Sequence, residues 1–199
     1  VSSVVPSPLR ILVVCTANIC RSPMAAALLI EAFADHDIEV EVTSAGFLFE
    51  GHPASDTATK VLREHGLDLQ AHRSRIIDRT MIADADLVLT MERRHARELV
   101  LEFDNAEKVH TLKAFAELVY KLTSAEHETR VFGIRPLVQA AASSRAASAF
   151  LGDGHLDEVV DPHGRSARVH RKTVAEIASA VAVIASSFAI ADADERAHG

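Results

Sequence analysis

Residues 11–33 read ILVVCTANICRSPMAAALLIEAF. Arg10 to Val14 has the pattern of a short buried strand, with the unbroken apolar run that parallel sheets favour. Pro23 stands near the first turn of a helix, where its missing N–H costs no hydrogen bond, and that helix is expected to run from Pro23 to Ala34. Between the two lies a loop that begins at Cys15 and carries Cys20, Arg21 and Ser22. Loop amides and the positive end of the helix together make a concave site for a tetrahedral oxyanion. Arg21 adds a planar fork that can bind two oxygens of such a group at once, which lysine cannot do. The same field favours the nucleophilic thiolate of Cys15, and Ser22 is placed to hydrogen-bond the sulfur when it leaves again. Two other readings of the loop exist: a buried strand-end cysteine beside an ordinary helix start, and a zinc site using Cys15, Cys20 and histidines, for which no paired ligand motif is present.

The rest of the chain alternates strand-like and helical segments. Ile38 to Ser44 alternates like a strand and is followed by Gly46. Ala54 to Glu64 has helical spacing and stops at Gly66, a C-terminal cap signal. Ala85 to Met91 and Lys108 to Leu112 read as a third and a fourth strand, each leading into a helix (Glu92 to Leu101, Lys113 to Leu122). Residues 123–151, rich in Ala and Ser, are partly helical, and Val169 to Phe188 forms a long last helix before a polar tail at 191–199. This pattern predicts one α/β domain over residues 1–190 with a parallel sheet. In such a sheet ligands bind beyond the carboxyl ends of the strands, which is where the cysteine loop lies.

Composition narrows the function classes. The 199 residues are 48% hydrophobic and 25% charged, enough for a sizeable core. A net charge of -7 and a pI near 5.9 argue against nucleic acid or an anionic membrane as partner. No membrane-length apolar run is expected, the opening VSSVVPSPLR lacks the regions of a signal peptide, and two closely spaced cysteines suit a reducing compartment. A cytoplasmic protein is expected.

VCTANICRSP resembles the signature of the low-molecular-weight protein tyrosine phosphatases, a C-x5-R-S loop near the amino terminus. TSAG, GLDLQAHRSR, ADLVLTM and VVDP, in that order, extend the likeness over most of the chain. The resemblance implies a four-stranded parallel sheet flanked by helices, and hydrolysis of phosphate monoesters without metal or other cofactor. Its substrates would be phosphorylated proteins, through phosphotyrosine, or small aryl phosphates, with inorganic phosphate as product. It implies that Cys15 is the nucleophile, Arg21 the oxyanion binder, Asp161 the general acid and Ser22 the hydroxyl that stabilises the thiolate. Thr16, Ala17, Asn18, Ile19 and Cys20 complete the substrate-binding loop, with Ser44 and His72 supporting Asn18. It also implies that Cys20 can form a reversible disulfide with Cys15, shielding it from further oxidation.

Three departures from the family pattern stand out. Ala17 occupies a loop position where the family commonly has glycine. The aromatic walls are altered: Phe47 or Phe49 supplies one wall, and His163 follows the Asp-Pro pair where tyrosine is frequent. Finally, the segment 123–151 is longer than usual, either an inert insertion or a lid near the acid loop. Two alternatives to a phosphatase remain, an arsenate reductase using a small-molecule thiol and a non-catalytic phosphate-binding module.

Overall fold

The computed structural model describes residues 7–103, 106–124, 131–144, 150 and 156–198. In chain order its elements are β1 (Leu9–Cys15), α1 (Arg21–Ala34), β2 (Val40–Gly46), α2 (Asp56–Arg63), α3 (Arg79–Asp84), β3 (Leu87–Thr90) and α4 (Arg93–Phe103). A single 3-10 turn (Ala106–Lys108) then precedes β4 (Val109–Thr111), α5 (Leu112–Thr123), α6 (Ile134–Ser144) and α7 (Ala167–His198). The four strands form one parallel sheet in the order β2-β1-β3-β4.

β1 is central because both of its faces find apolar partners. Successive side chains of a strand point to opposite faces. Leu9, Ile11, Val13 and Cys15 accordingly join one core, built with α1, α2, α5, α6 and α7, while Leu12 and Val14 join a second, built with α3 and α4. In the larger core the rings of Phe33 and Phe188 lie 5.2 Å apart, tying α1 to α7. The expected α/β sheet with helices on both faces is therefore the observed one.

Several boundaries differ from the sequence reading. α1 begins at Arg21 rather than Pro23, so Arg21 and Ser22 are first-turn residues, and both are buried. Among the described residues no side chain caps this terminus, and its first turn carries no acidic residue, so its orphan amides are open to an external anion. α3 has no counterpart in the sequence pattern; its six residues are too few to show a period, and Asp78, accepting a bond from the Met81 amide at 2.8 Å, marks its start. Gly66, at φ +78°, ends the second helix as its cap signal predicts.

The carboxyl-terminal segment is the largest correction. Residues 191–198 continue α7 instead of forming a polar tail. Ala191 is buried, its carbonyl accepts the Gly133 amide at 2.8 Å, and Asp192 pairs with Arg196 one turn on. α7 is also long and apolar enough to cross a membrane by length and composition, contrary to the expectation of no such run. Half of that stretch is buried within the fold: Val174, Ile177, Val181, Ile184 and Phe188 pack into the larger core at helical spacing.

Within 123–151, α6 buries Leu137, Val138 and Ala141. Its Arg135 reaches Asp86 at 3.3 Å and the Ser7 carbonyl at 2.7 Å. Those partners precede β3 and β1, so α6 sits at the amino ends of the strands, away from the cysteine loop. Residues 125–130, 145–149 and 151 lie outside the described part.

Gly46 ends β2 directly against the loop. A Cβ there would stand 2.7 Å from the Asn18 nitrogen and 2.8 Å from the Cys15 oxygen, both backbone atoms. We expect Gly46→Ala to lower stability by about 1–3 kcal/mol in urea unfolding and to weaken phosphate binding in calorimetry; a variant equal to the parent in both would contradict this placement.

Candidate active site

Cys15 closes β1 at the carboxyl edge of the sheet, and the chain turns through Thr16 to Cys20 into α1. Asn18 makes that turn possible. Its φ of +53° lies in the left-handed region, which asparagine tolerates better than most residues. The conformation is locked from every side. The Asn18 side-chain oxygen accepts the Arg75 amide at 2.9 Å, and its Nδ2 donates to Ser22 Oγ and Ser44 Oγ, each at 2.9 Å. His72 Nε2 donates to the Asn18 carbonyl at 2.6 Å. Burial lowers the His72 pKa against the opposing effect of that bond, consistent with a neutral ring.

Ser22 Oγ lies 3.0 Å from Cys15 Sγ and 3.4 Å from the Ala45 carbonyl. Because it already accepts from Asn18, its own proton is left for the nearer sulfur. Cys20 is different: its sulfur lies 3.1 Å from Ser55 Oγ, and burial pushes its pKa up. It is a free thiol, as is Cys15.

Arg21 is 1% exposed, and a buried guanidinium requires partners. Nη1 donates to Glu92 Oε1 and to the Val159 carbonyl at 3.0 Å, and Nη2 donates to Asp161 Oδ2 at 2.9 Å. Asp161 thus faces the loop from a separate segment, which the rest of the molecule holds down. Arg93 Nε donates to Asp157 at 2.8 Å, Thr111 Oγ1 donates to the same carboxylate at 3.0 Å, and the Val159 amide donates to the Met91 carbonyl at 2.8 Å. Asp161 Oδ1 accepts the His163 amide at 3.1 Å.

The third side of the site is supplied by the end of β3 and the start of α4. Arg94 donates from Nη2 to Thr16 Oγ1 at 2.6 Å and from Nε to Glu92 Oε2 at 2.6 Å. Burial opposes the charged form of Glu92, but hydrogen bonds from Arg94 and Arg21 win and hold its pKa at about 2. Thr16 Oγ1, already an acceptor, turns its proton to His95 Nε2 at 2.9 Å. That leaves the His95 proton on Nδ1, which is buried and has no hydrogen-bond partner among the described residues. Burial drives the His95 pKa down to about 3 despite the nearby Glu92.

The expected residues Cys15, Thr16, Asn18, Arg21, Ser22, Ser44, His72 and Asp161 are joined by these bonds. Ala17 and Ile19 are half-buried in the same loop. Among the aromatic residues, Phe47 donates its amide to the Thr16 carbonyl at 2.8 Å and stacks on His95 with centroids 5.9 Å apart. Phe49 stacks instead on His52 at 4.8 Å. His163 is exposed, its Nδ1 4.0 Å from Cys20 Sγ. Sequence reasoning missed Glu92, Arg94, His95, Arg75 and Gly46. The one available signal was the dense charge of MERRHAR immediately after a strand.

Residues 10–126 match the family described as low molecular weight phosphotyrosine protein phosphatase. The low molecular weight protein-tyrosine-phosphatase Wzb of Escherichia coli K12 is 46% identical over 91 residues, 45% of this chain and 59% of that protein. The first curated relatives are likewise matched over 59% of their length. A protein-arginine-phosphatase of Geobacillus stearothermophilus is 47% identical over 110 residues, 54% of this chain and 72% of that one. The solved structure of a low molecular weight protein tyrosine phosphatase from T. tengcongensis superposes with a TM-score of 0.66 at 30% identity, covering 88% of this chain and 96% of that one.

The buried neutral His95 makes stability depend on pH. Below about pH 6.5 the unfolded chain takes up a proton that the folded ring refuses until about pH 3, so stability falls as pH falls through that window. Between pH 6.5 and 5 the loss from this group is about 2 kcal/mol. Glu92 adds its loss only lower, from the ordinary carboxylate range down to about 2. Urea unfolding at the two pH values should show a shallower dependence in His95→Gln; an identical slope would contradict the assignment.

Proposed function

The chain belongs to the low molecular weight phosphotyrosine protein phosphatase family, and on that premise we propose that it hydrolyses phosphate monoesters through a cysteinyl-phosphate on Cys15. The observation that carries this reading is one mouth shared by a sulfur bonded to a serine hydroxyl, a buried arginine fork and a carboxyl from a separate loop.

In the first step an entering phosphoryl oxygen takes Arg21 Nη2 from Asp161, which frees that carboxyl to turn to the leaving group. The Cys15 thiolate forms the S–P bond while the P–O bond to the departing alcohol or phenol breaks, and Asp161 delivers the proton the leaving oxygen needs. Arg21, the loop amides and the uncapped start of α1 hold the charge on the equatorial oxygens throughout. In the second step Asp161 takes a proton from water, the water oxygen attacks phosphorus, and the S–P bond breaks to release inorganic phosphate. Ser22 donates to the departing sulfur, with its hydroxyl aimed by Asn18.

We assign phosphotyrosine in proteins as the preferred substrate, since Phe47 and the half-buried Ile19 offer apolar surface to an aryl ring. Phosphoarginine is a second reading, favoured by the similarity to the Geobacillus protein-arginine-phosphatase. The two free thiols suit a reducing compartment such as the cytoplasm.

Hydrolysis of p-nitrophenyl phosphate in reducing buffer should persist with a chelator and vanish in Cys15→Ser. Asp161→Asn should slow turnover of esters with poor leaving groups by about 100-fold. Activity surviving in Cys15→Ser would contradict the nucleophile. A phosphoarginyl peptide turned over faster than its phosphotyrosyl counterpart would overturn the substrate assignment.

A further inference from the structure

Two arginines approach Thr16 Oγ1, and they differ in one respect. Arg21 has a side chain 2% exposed, and its groups face the interior of the site. Arg94 has a side chain 50% exposed, yet it is not loose: Glu92 grips its Nε and Nη2 edge at 2.6 and 3.2 Å, and Thr16 Oγ1 accepts from Nη2 at 2.6 Å. The conformational cost of fixing a long side chain is thereby met before any substrate arrives. Thr16 is the residue after the nucleophile, so this anchored cation stands at the lip of the phosphate site.

The charge on this lip is not neutralised by Glu92 alone, because that carboxylate is shared with Arg21. When the phosphoryl group engages Arg21 and Asp161 carries its proton, Glu92 is the carboxylate bonded to both arginines, and Glu98 acts on Arg94 only as a weaker charge without a hydrogen bond. A phosphorylated side chain inside the cradle leaves the exposed part of Arg94 toward the polypeptide on either side of it. The molecule as a whole carries a net charge of -7 and so repels an acidic partner at long range. An attractive local contact for such a partner therefore contributes through geometry at the lip rather than through general steering.

Resting on the phosphatase reading, we propose that Arg94 is a specificity-determining residue that selects phosphoprotein segments with an acidic side chain next to the phosphorylated residue. Glu92 and Thr16 engage Nε and Nη2, so Nη1 is the nitrogen left to donate to the substrate's carboxylate, held in place by the other two. Because the contact is half exposed, its worth is that of a surface pair and it weakens with salt.

The test compares kcat/KM for two phosphotyrosyl peptides of equal length, one flanked on both sides by aspartate or glutamate and one by alanine, in low salt. The parent protein should prefer the acidic peptide by about 3-fold, a preference that shrinks at high salt. Arg94→Gln should bring the ratio near one, and Arg94→Glu should invert it. A purely structural role for Arg94, through Thr16 and Glu92, would lower both peptides equally and leave the ratio unchanged, which would overturn the proposal. Equal turnover of the two peptides by the parent protein would overturn it without recourse to any variant. A parent protein that turns over neither peptide nor p-nitrophenyl phosphate would instead remove the phosphatase reading and this inference with it.

Discussion

A guanidinium almost wholly removed from water is the constraint around which this structure is arranged. Desolvating a charge costs several kcal/mol unless partners replace the lost hydration. Arg21 finds these partners in Glu92 after β3 and in Val159 and Asp161 before α7. The same bonds that stabilise the cation draw together three segments far apart in sequence. Satisfying one buried charge thus builds the walls of the site.

The second constraint is the left-handed Asn18. Its backbone conformation carries a cost that the surrounding hydrogen bonds offset, and they come from three separate parts of the chain: Ser22 from α1, Ser44 from β2, and His72 and Arg75 from the connection after α2. Gly46 completes the arrangement by leaving room for the loop backbone. The sheet register matters here, since the pairing of Cys15 with Gly46 and of Val14 with Thr90 decides which side chains reach the loop. Fold and chemistry are linked through that register.

The legibility of these features in the sequence follows from their range. Cys15, Arg21 and Ser22 are contiguous with a strand and a helix start, so local pattern and elementary electrostatics were enough to propose their roles. Asn18, Ser44, His72 and Asp161 were reachable only through resemblance, because spacing alone does not tell that residues 26, 54 and 143 positions from Asn18 meet it or its surroundings. Arg94 and His95 belong to the first turn of a charged helix, as their pattern predicts, while Glu92 stands just before it rather than opening it; their function arises only because β3 ends beside β1. The α7 extension is hidden in the pattern because its last turns are polar, although an ion pair and a buried alanine sustain them. The placement of α6 at the amino ends of the strands likewise came from Arg135, whose partners no periodicity reveals.

The central claim is that sulfur, rather than water, makes the first attack on phosphorus. Rapid acid quenching during turnover of an aryl phosphate, followed by mass spectrometry of the peptide containing Cys15, tests it directly. The account predicts one phosphoryl group on that peptide, formed and lost at rates consistent with kcat. Steady turnover with the Cys15 peptide unmodified at every quench time, under conditions that preserve thiophosphate esters, would contradict it.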